Sequence, residues 1–331
     1  MIKSAGVKMA PAVILTVVLS LAPGFGGPEA QTGKIPGPIK SLRDSQGKEV
    51  YCLNFSPNGK ILATGNIRGA ITIWELKDSR ARQMISAHQA SATSLSISPN
   101  GKILASASFD GAIKLWTVKS GQPIRTLEGH AQGVMSVVFN PQGKILASGS
   151  MDSMVKLWDV ENGKLLRTFQ GHQDGVNSVA ISRDGKTLAS ASDDKTIKLW
   201  EVGTGKLIRT LRGHEGAVWA SSFTPEGTVL ASAGNDKTIK LWEIKTGKLI
   251  RTIEAHRSPI YGLAVSPNGR FMASAGADKI IKLWELPSGK PLRSLSGHTS
   301  AIEALAISAD SKLLVSAGDD AKIIFWDVSR F

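Results

Sequence analysis

Cysteine is almost missing from this chain. Its 331 residues include one, Cys52, so no disulfide can form within it. Tyrosine is nearly as scarce, at two copies. The six histidines stand 42 residues apart, from His88 to His298, so none pairs with another to form a zinc-binding helix. There is no Cys-x-x-Cys and no calcium loop. Gly185-Lys186-Thr187 resembles the end of a phosphate loop, but alanine stands at 180 where the upstream glycine belongs. No metal or cofactor is therefore expected. Long apolar runs are lacking too. The longest, Ala10 to Ala22, covers 13 residues, broken by Thr16 and Ser20, whereas a membrane span needs about 20. Acidic residues are outnumbered 27 to 40, for a net charge of +13, which invites an anionic partner.

The apolar run follows Lys3 and Lys8 and precedes small residues and prolines. That order fits a secretory signal peptide over residues 1–30, cleaved after Gly26 or Ala30. The expected location is periplasmic or secreted; an uncleaved membrane anchor and a cytoplasmic chain are the alternatives. Residues 31–37 read as a linker.

The remainder, residues 38–331, is repetitive. Trp74, Trp116, Trp158, Trp200, Trp242, Trp284 and Trp326 are spaced at 42 residues without slippage, and only Trp219 stands outside the series. A fixed period of this length sets the architecture before any local reading. In the unit opened by Gly171-His172, Val176–Ser182, Thr187–Ser192, Thr196–Val202 and Leu207–Leu211 read as strands. They are separated by Arg183-Asp-Gly-Lys186, Asp193-Asp194-Lys195 and Gly203-Thr-Gly-Lys206, all turn chemistry. Four short strands make an antiparallel meander. One such sheet cannot bury both its faces, but seven stacked around an axis can.

The Gly-His…Asp…Trp-Asp/Glu pattern resembles the WD40 repeat family. The resemblance implies an all-β, seven-bladed propeller of four-stranded antiparallel sheets, here a monomer. It also implies a structural hydrogen-bond chain in each blade, from tryptophan to Ser/Thr, to histidine, to aspartate. Six blades supply it: Trp116, Ser106, His88 and Asp110; Trp158, Ser148, His130 and Asp152; Trp200, Ser190, His172 and Asp194; Trp242, Ser232, His214 and Asp236; Trp284, Ser274, His256 and Asp278; Trp326, Ser316, His298 and Asp320. The first blade keeps Thr64 and Trp74 but has Arg68 for aspartate and Gln46 for histidine, so a broken tetrad and local looseness are expected. After Trp326 the last blade lacks a fourth strand of its own. Pro38–Leu42 resembles the fourth strands elsewhere and should complete it, closing the ring.

Copying decides how candidate chemistry is read. A catalytic base would be unique rather than repeated six times, so the histidines and their aspartates are assigned to the framework and no enzyme is expected. Cys52, in a first strand, reads as a buried inert thiol. Positions that the repeat leaves free are better candidates. One residue early in each first strand varies: Tyr51, Thr93, Met135, Asn177, Trp219, Tyr261 and Glu303. The residue before each turn aspartate varies as well, including Phe109, Met151, Asp193, Asn235, Ala277 and Asp319. Both sets belong on one face, the top, where WD40 propellers commonly bind proteins or peptides. Aromatic and methionine side chains there suit a partner-binding surface; the alternative is that they only fill the channel mouth. The bottom face carries lysines in its turns, and Arg125, Arg167, Arg209, Arg251 and Arg293 recur in the fourth strands on the outer wall. That suggests contact with an anionic surface or polymer, against plain solvation and edge protection. Nucleic acid is disfavoured, because stacking aromatics are not interleaved with these cations.

Overall fold

The computed structural model describes residues 37–331 and forms a closed ring of seven four-stranded antiparallel sheets. The expected signal peptide, and all of the linker but Gly37, lie outside the described residues. In blade four the strands are Val176–Ile181, Thr187–Ser192, Thr196–Glu201 and Leu207–Arg212, hydrogen-bonded in that order. The first strand of each blade lies innermost and packs on the first strands of both neighbours, which closes the ring.

Burial falls outward, and the sequence explains why. First and second strands are made of β-branched and small residues, such as Thr187-Leu-Ala-Ser-Ala-Ser192, and are buried almost throughout. The fourth strands are mostly exposed, with only their last apolar residue, such as Leu211, buried. The hydrophobic core is divided into seven clusters, each straddling a blade junction. One joins Ala189, Ile197, Leu199 and Leu211 of blade four to Val218, Phe223, Leu230 and Trp242 of blade five. No blade could bury these residues alone.

The turns set the register. Gly185 adopts φ +73° between first and second strands, as a turn glycine should. Between second and third strands the left-handed residue is glycine in blades one and two, Gly69 and Gly111, but not in blade four, where Lys195 has φ +67°. Asp194 supports it, its Oδ1 accepting from the Thr196 amide at 2.9 Å.

The ring is closed by Lys40–Arg43, which pairs antiparallel with Lys322–Asp327 of blade seven. This corrects the expected span of Pro38–Leu42. Pro38 has no N–H to contribute to a ladder. Ile39 falls outside the paired strand, although its amide donates to the Phe325 carbonyl at 2.8 Å. The strand instead gains Arg43, opposite Lys322.

Candidate partner-binding site at the channel mouth

Six blades carry a continuous hydrogen-bond chain. In blade four the Trp200 indole donates to Ser190 Oγ at 2.8 Å, His172 Nε2 lies 2.7 Å from the same oxygen, and His172 Nδ1 lies 2.7 Å from Asp194 Oδ2. Asp194 Oδ2 also accepts from the Gln173 amide. The other five repeat this, with His–Asp separations from 2.7 Å in blade five to 3.1 Å in blade two. Burial alone would raise the carboxyls of Asp152 and Asp236. Hydrogen bonds from His130 and His214 and from nearby amides override it and hold both at about 2. Burial lowers His88 and His298 below the usual histidine value, with Asp110 and Asp320 opposing it. In each of these tetrads the indole, hydroxyl, imidazole and carboxyl groups are hydrogen-bonded to one another. The Cys52 thiol is buried, donates to the Ala92 carbonyl and is pushed up by desolvation.

Blade one lacks the tetrad but is not left open. Trp74 still donates to Thr64 at 2.8 Å. Asp44 Oδ2 accepts from the amides of Gln46 and Lys48 and from the Asn66 side chain, which also reaches Gln46 Oε1. Asn66 Oδ1 caps the turn by accepting from the amides of Arg68 and Ala70, each at 3.0 Å. The expected looseness overlooked Asp44 and Asn66, because neither sits at a tetrad position.

The variable ring has a backbone cause. In all seven blades the pairing of first with second strand skips one residue, a β-bulge. The skipped residues are Tyr51, Thr93, Met135, Asn177, Trp219, Tyr261 and Glu303. A bulge takes its residue out of ladder pairing and re-aims the side chain, which releases this position from the repeat. The released side chains are not equally accessible. Tyr51 and Tyr261 are half-buried, whereas Thr93, Met135, Asn177, Glu303 and Trp219 are buried, Trp219 at 8% exposure. Thr93 and Asn177 donate across the blade junction to the carbonyls of Val134 and Val218. Trp219 joins a core cluster, lies 5.3 Å from the Tyr261 ring and donates to Asp193 Oδ1.

The pre-turn residues ring this mouth further out. Asn235 and Asp319 are exposed, while Phe109, Met151, Asp193 and Ala277 are half-buried. Sequence reading did not anticipate that Glu303 and Asp319 form a carboxyl pair. Their positions differ by one strand pairing, the signal that could have linked them.

The bottom and outer wall divide the cations into two groups. The turn lysines, such as Lys60, Lys102, Lys144, Lys186, Lys206 and Lys312, are exposed. The outer-wall arginines act differently. Arg125 donates to the Glu161 carbonyl, Arg167 to those of Gly203 and Thr204, and Arg209 to that of Lys245. Each clamps its blade to the last turn of the next. Third-strand lysines are likewise internal: Lys156, Lys198 and Lys240 donate to Thr168, Thr210 and Thr252.

Comparison with known proteins agrees with this architecture. The family model described as the WDR3 second beta-propeller domain matches residues 39–292, and that described as WD domain, G-beta repeat, matches residues 289–327. No curated protein matches the chain at a significant level.

Proposed function

The chain belongs to the WD-repeat family of β-propellers, and from that premise we propose that it is a non-enzymatic scaffold that holds protein or peptide partners on its top face. Propellers of this family generally mediate protein–protein interactions. One observation carries the choice of face: each blade has a bulge that frees one side chain, and those seven positions carry six residue types while the framework around them is copied. Tyrosine, tryptophan and methionine among them are favourable interface residues. The signal-like order of residues 1–30 supports, as part of this proposal, a scaffold that works in the periplasm or outside the cell, with an uncleaved membrane anchor or a cytoplasmic chain as the alternatives. A reading through the basic underside is weaker, because three of the five outer-wall arginines, Arg125, Arg167 and Arg209, already hold main-chain carbonyls.

The test uses top-face residues outside the buried ring. Met151→Arg with Asn235→Arg places two large charges on the mouth, and an unshifted melting curve checks that the half-buried Met151 position tolerates its change. Affinity capture from the native source should lose its partners with this variant and keep them with Lys186→Glu on the bottom. An unchanged captured set would reject the top face. Trp219→Ala is less discriminating, since emptying a buried tryptophan site costs about 3–5 kcal/mol of stability.

A further inference from the structure

Two carboxyl groups stand at the mouth, Asp193 half-buried and Glu303 buried, and the fold treats them differently. On the side of blades four and five, Asp193 Oδ1 accepts from Asn177 Nδ2 at 2.7 Å and from the Trp219 indole at 3.2 Å. In blade seven Glu303, at 3% exposure, shares a hydrogen bond with Asp319, and its Oε2 is buried without a hydrogen-bond partner among the described residues. An unsatisfied buried carboxylate oxygen is costly, and the Asp193 arrangement shows what is missing: N–H donors.

The surroundings narrow what those donors could be. Glu303 occupies the bulge of blade seven, between Tyr261 of blade six and Tyr51 of blade one, both half-buried. Burial, then Asp319, Glu303 and Glu49, push the Tyr51 phenol up to about 12. Burial, Glu303 and Asp319 raise Tyr261 as well. The charges acting most strongly on Glu303 and both tyrosines are therefore all carboxylates, in a chain whose net charge is +13. A metal is poorly served, since no group of three or more His, Cys, Asp or Glu side chains suited to one occurs among the described residues. Acidic oxygens beside aromatic rings suit an organic cation, which hydrogen-bonds to the former and is attracted by the faces of the latter.

We infer that the blade-seven side of the mouth is a site for one cationic side chain, the guanidinium or ammonium of an arginine or lysine presented by a partner peptide, with Glu303 Oε2 and Asp319 as its acceptors. This rests on the top face being the partner-binding face. Burial, and then Asp319, hold the Glu303 carboxyl well above its ordinary range, so the empty site keeps a proton on the pair. Entry of the cation replaces that proton. The carboxylic acid gives it to solvent, and the resulting carboxylate pairs with the arriving charge. Binding therefore releases a proton.

The experiment uses the propeller and an array of random nonapeptides whose central residue is fixed as arginine, lysine, norleucine or glutamate. Arginine- or lysine-centred peptides should be retained at least tenfold better than norleucine-centred ones, and comparing the two cations identifies which is preferred. Glu303→Gln keeps the shape and removes the charge, and it should abolish the preference. Asp319→Asn, at an exposed position, should weaken it without endangering the fold. Calorimetry of a retained peptide in buffers of different ionisation enthalpy should show proton release in the wild type and none in Glu303→Gln. Equal retention of norleucine- and lysine-centred peptides would overturn the cation site while leaving the top face standing. Retention of no peptide would also overturn it, and partner capture would then judge the top face separately. An unchanged preference in both variants would remove Glu303 and Asp319 from the site.

Discussion

The tetrad is where a single residue has the widest effect. Ser190 Oγ accepts the Trp200 indole N–H and contacts His172 Nε2. Ser190→Ala leaves both without a partner in a buried setting, which costs about 1–3 kcal/mol. The loss should appear as a lower urea midpoint with unchanged slope. Acid acts through the same groups. Asp152 and Asp236 sit at about 2, below an unfolded value near 3.9. Their stabilisation is present above that unfolded value and fades as pH falls towards 2. His88 and His298 are also shifted down, so the unfolded chain takes up their protons first and stability begins to fall below about pH 6.5. Glu303, held well above its ordinary range, works in the opposite sense, so in Glu303→Gln, where that contribution is gone, the melting temperature should decline in these two acid stages. The tetrad residues were legible in the sequence because the chain depends on residue identity at fixed offsets. Glu303 was legible only as a variable position, because a missing donor is a property of packing.

At the scale of elements, the bulges and clamps were hidden for a related reason. A bulge is a slip in backbone pairing that any side chain can occupy, so six residue types mark its seven occurrences. The repeating arginines were visible, but their acceptors are main-chain carbonyls of the next blade and carry no sequence signature. Arg167 reaches Thr204 O at 2.7 Å and Gly203 O at 2.8 Å. Arg167→Ala should cost about 0.5–1.5 kcal/mol on denaturation, typical of exchanging such bonds for water. Gly205→Ala should cost more. Its φ is +81°, and an added Cβ would come within 2.5 Å of Arg167 Cδ. If Gly205→Ala is the milder change, the left-handed backbone and the close approach to Arg167 are not what constrain that turn.

For the whole molecule, the ring depends on Lys40–Arg43. The four paired residues run from Lys40 opposite Phe325 to Arg43 opposite Lys322, and Leu42 packs against a core cluster shared by blades seven and one. Removing residues up to 45 also removes Asp44, which organises the blade-one turn. The truncated protein should melt at a clearly lower temperature and expose an unpaired edge prone to association. An unchanged melting temperature with a monomeric profile would refute the dependence. Seven blades and their closure were readable from period and phase, since one 42-residue unit dictates the rest. The pairing also has a mechanical side. Lys40 lies beside Phe325, so the chain enters and leaves the ring at the same end of one antiparallel pair. Tension applied between the two ends would load its hydrogen bonds one after another, as in opening a zip, rather than all together. The joint that completes the propeller against heat is thus its weakest under pull, and a tether attached at one end only would leave it unstrained.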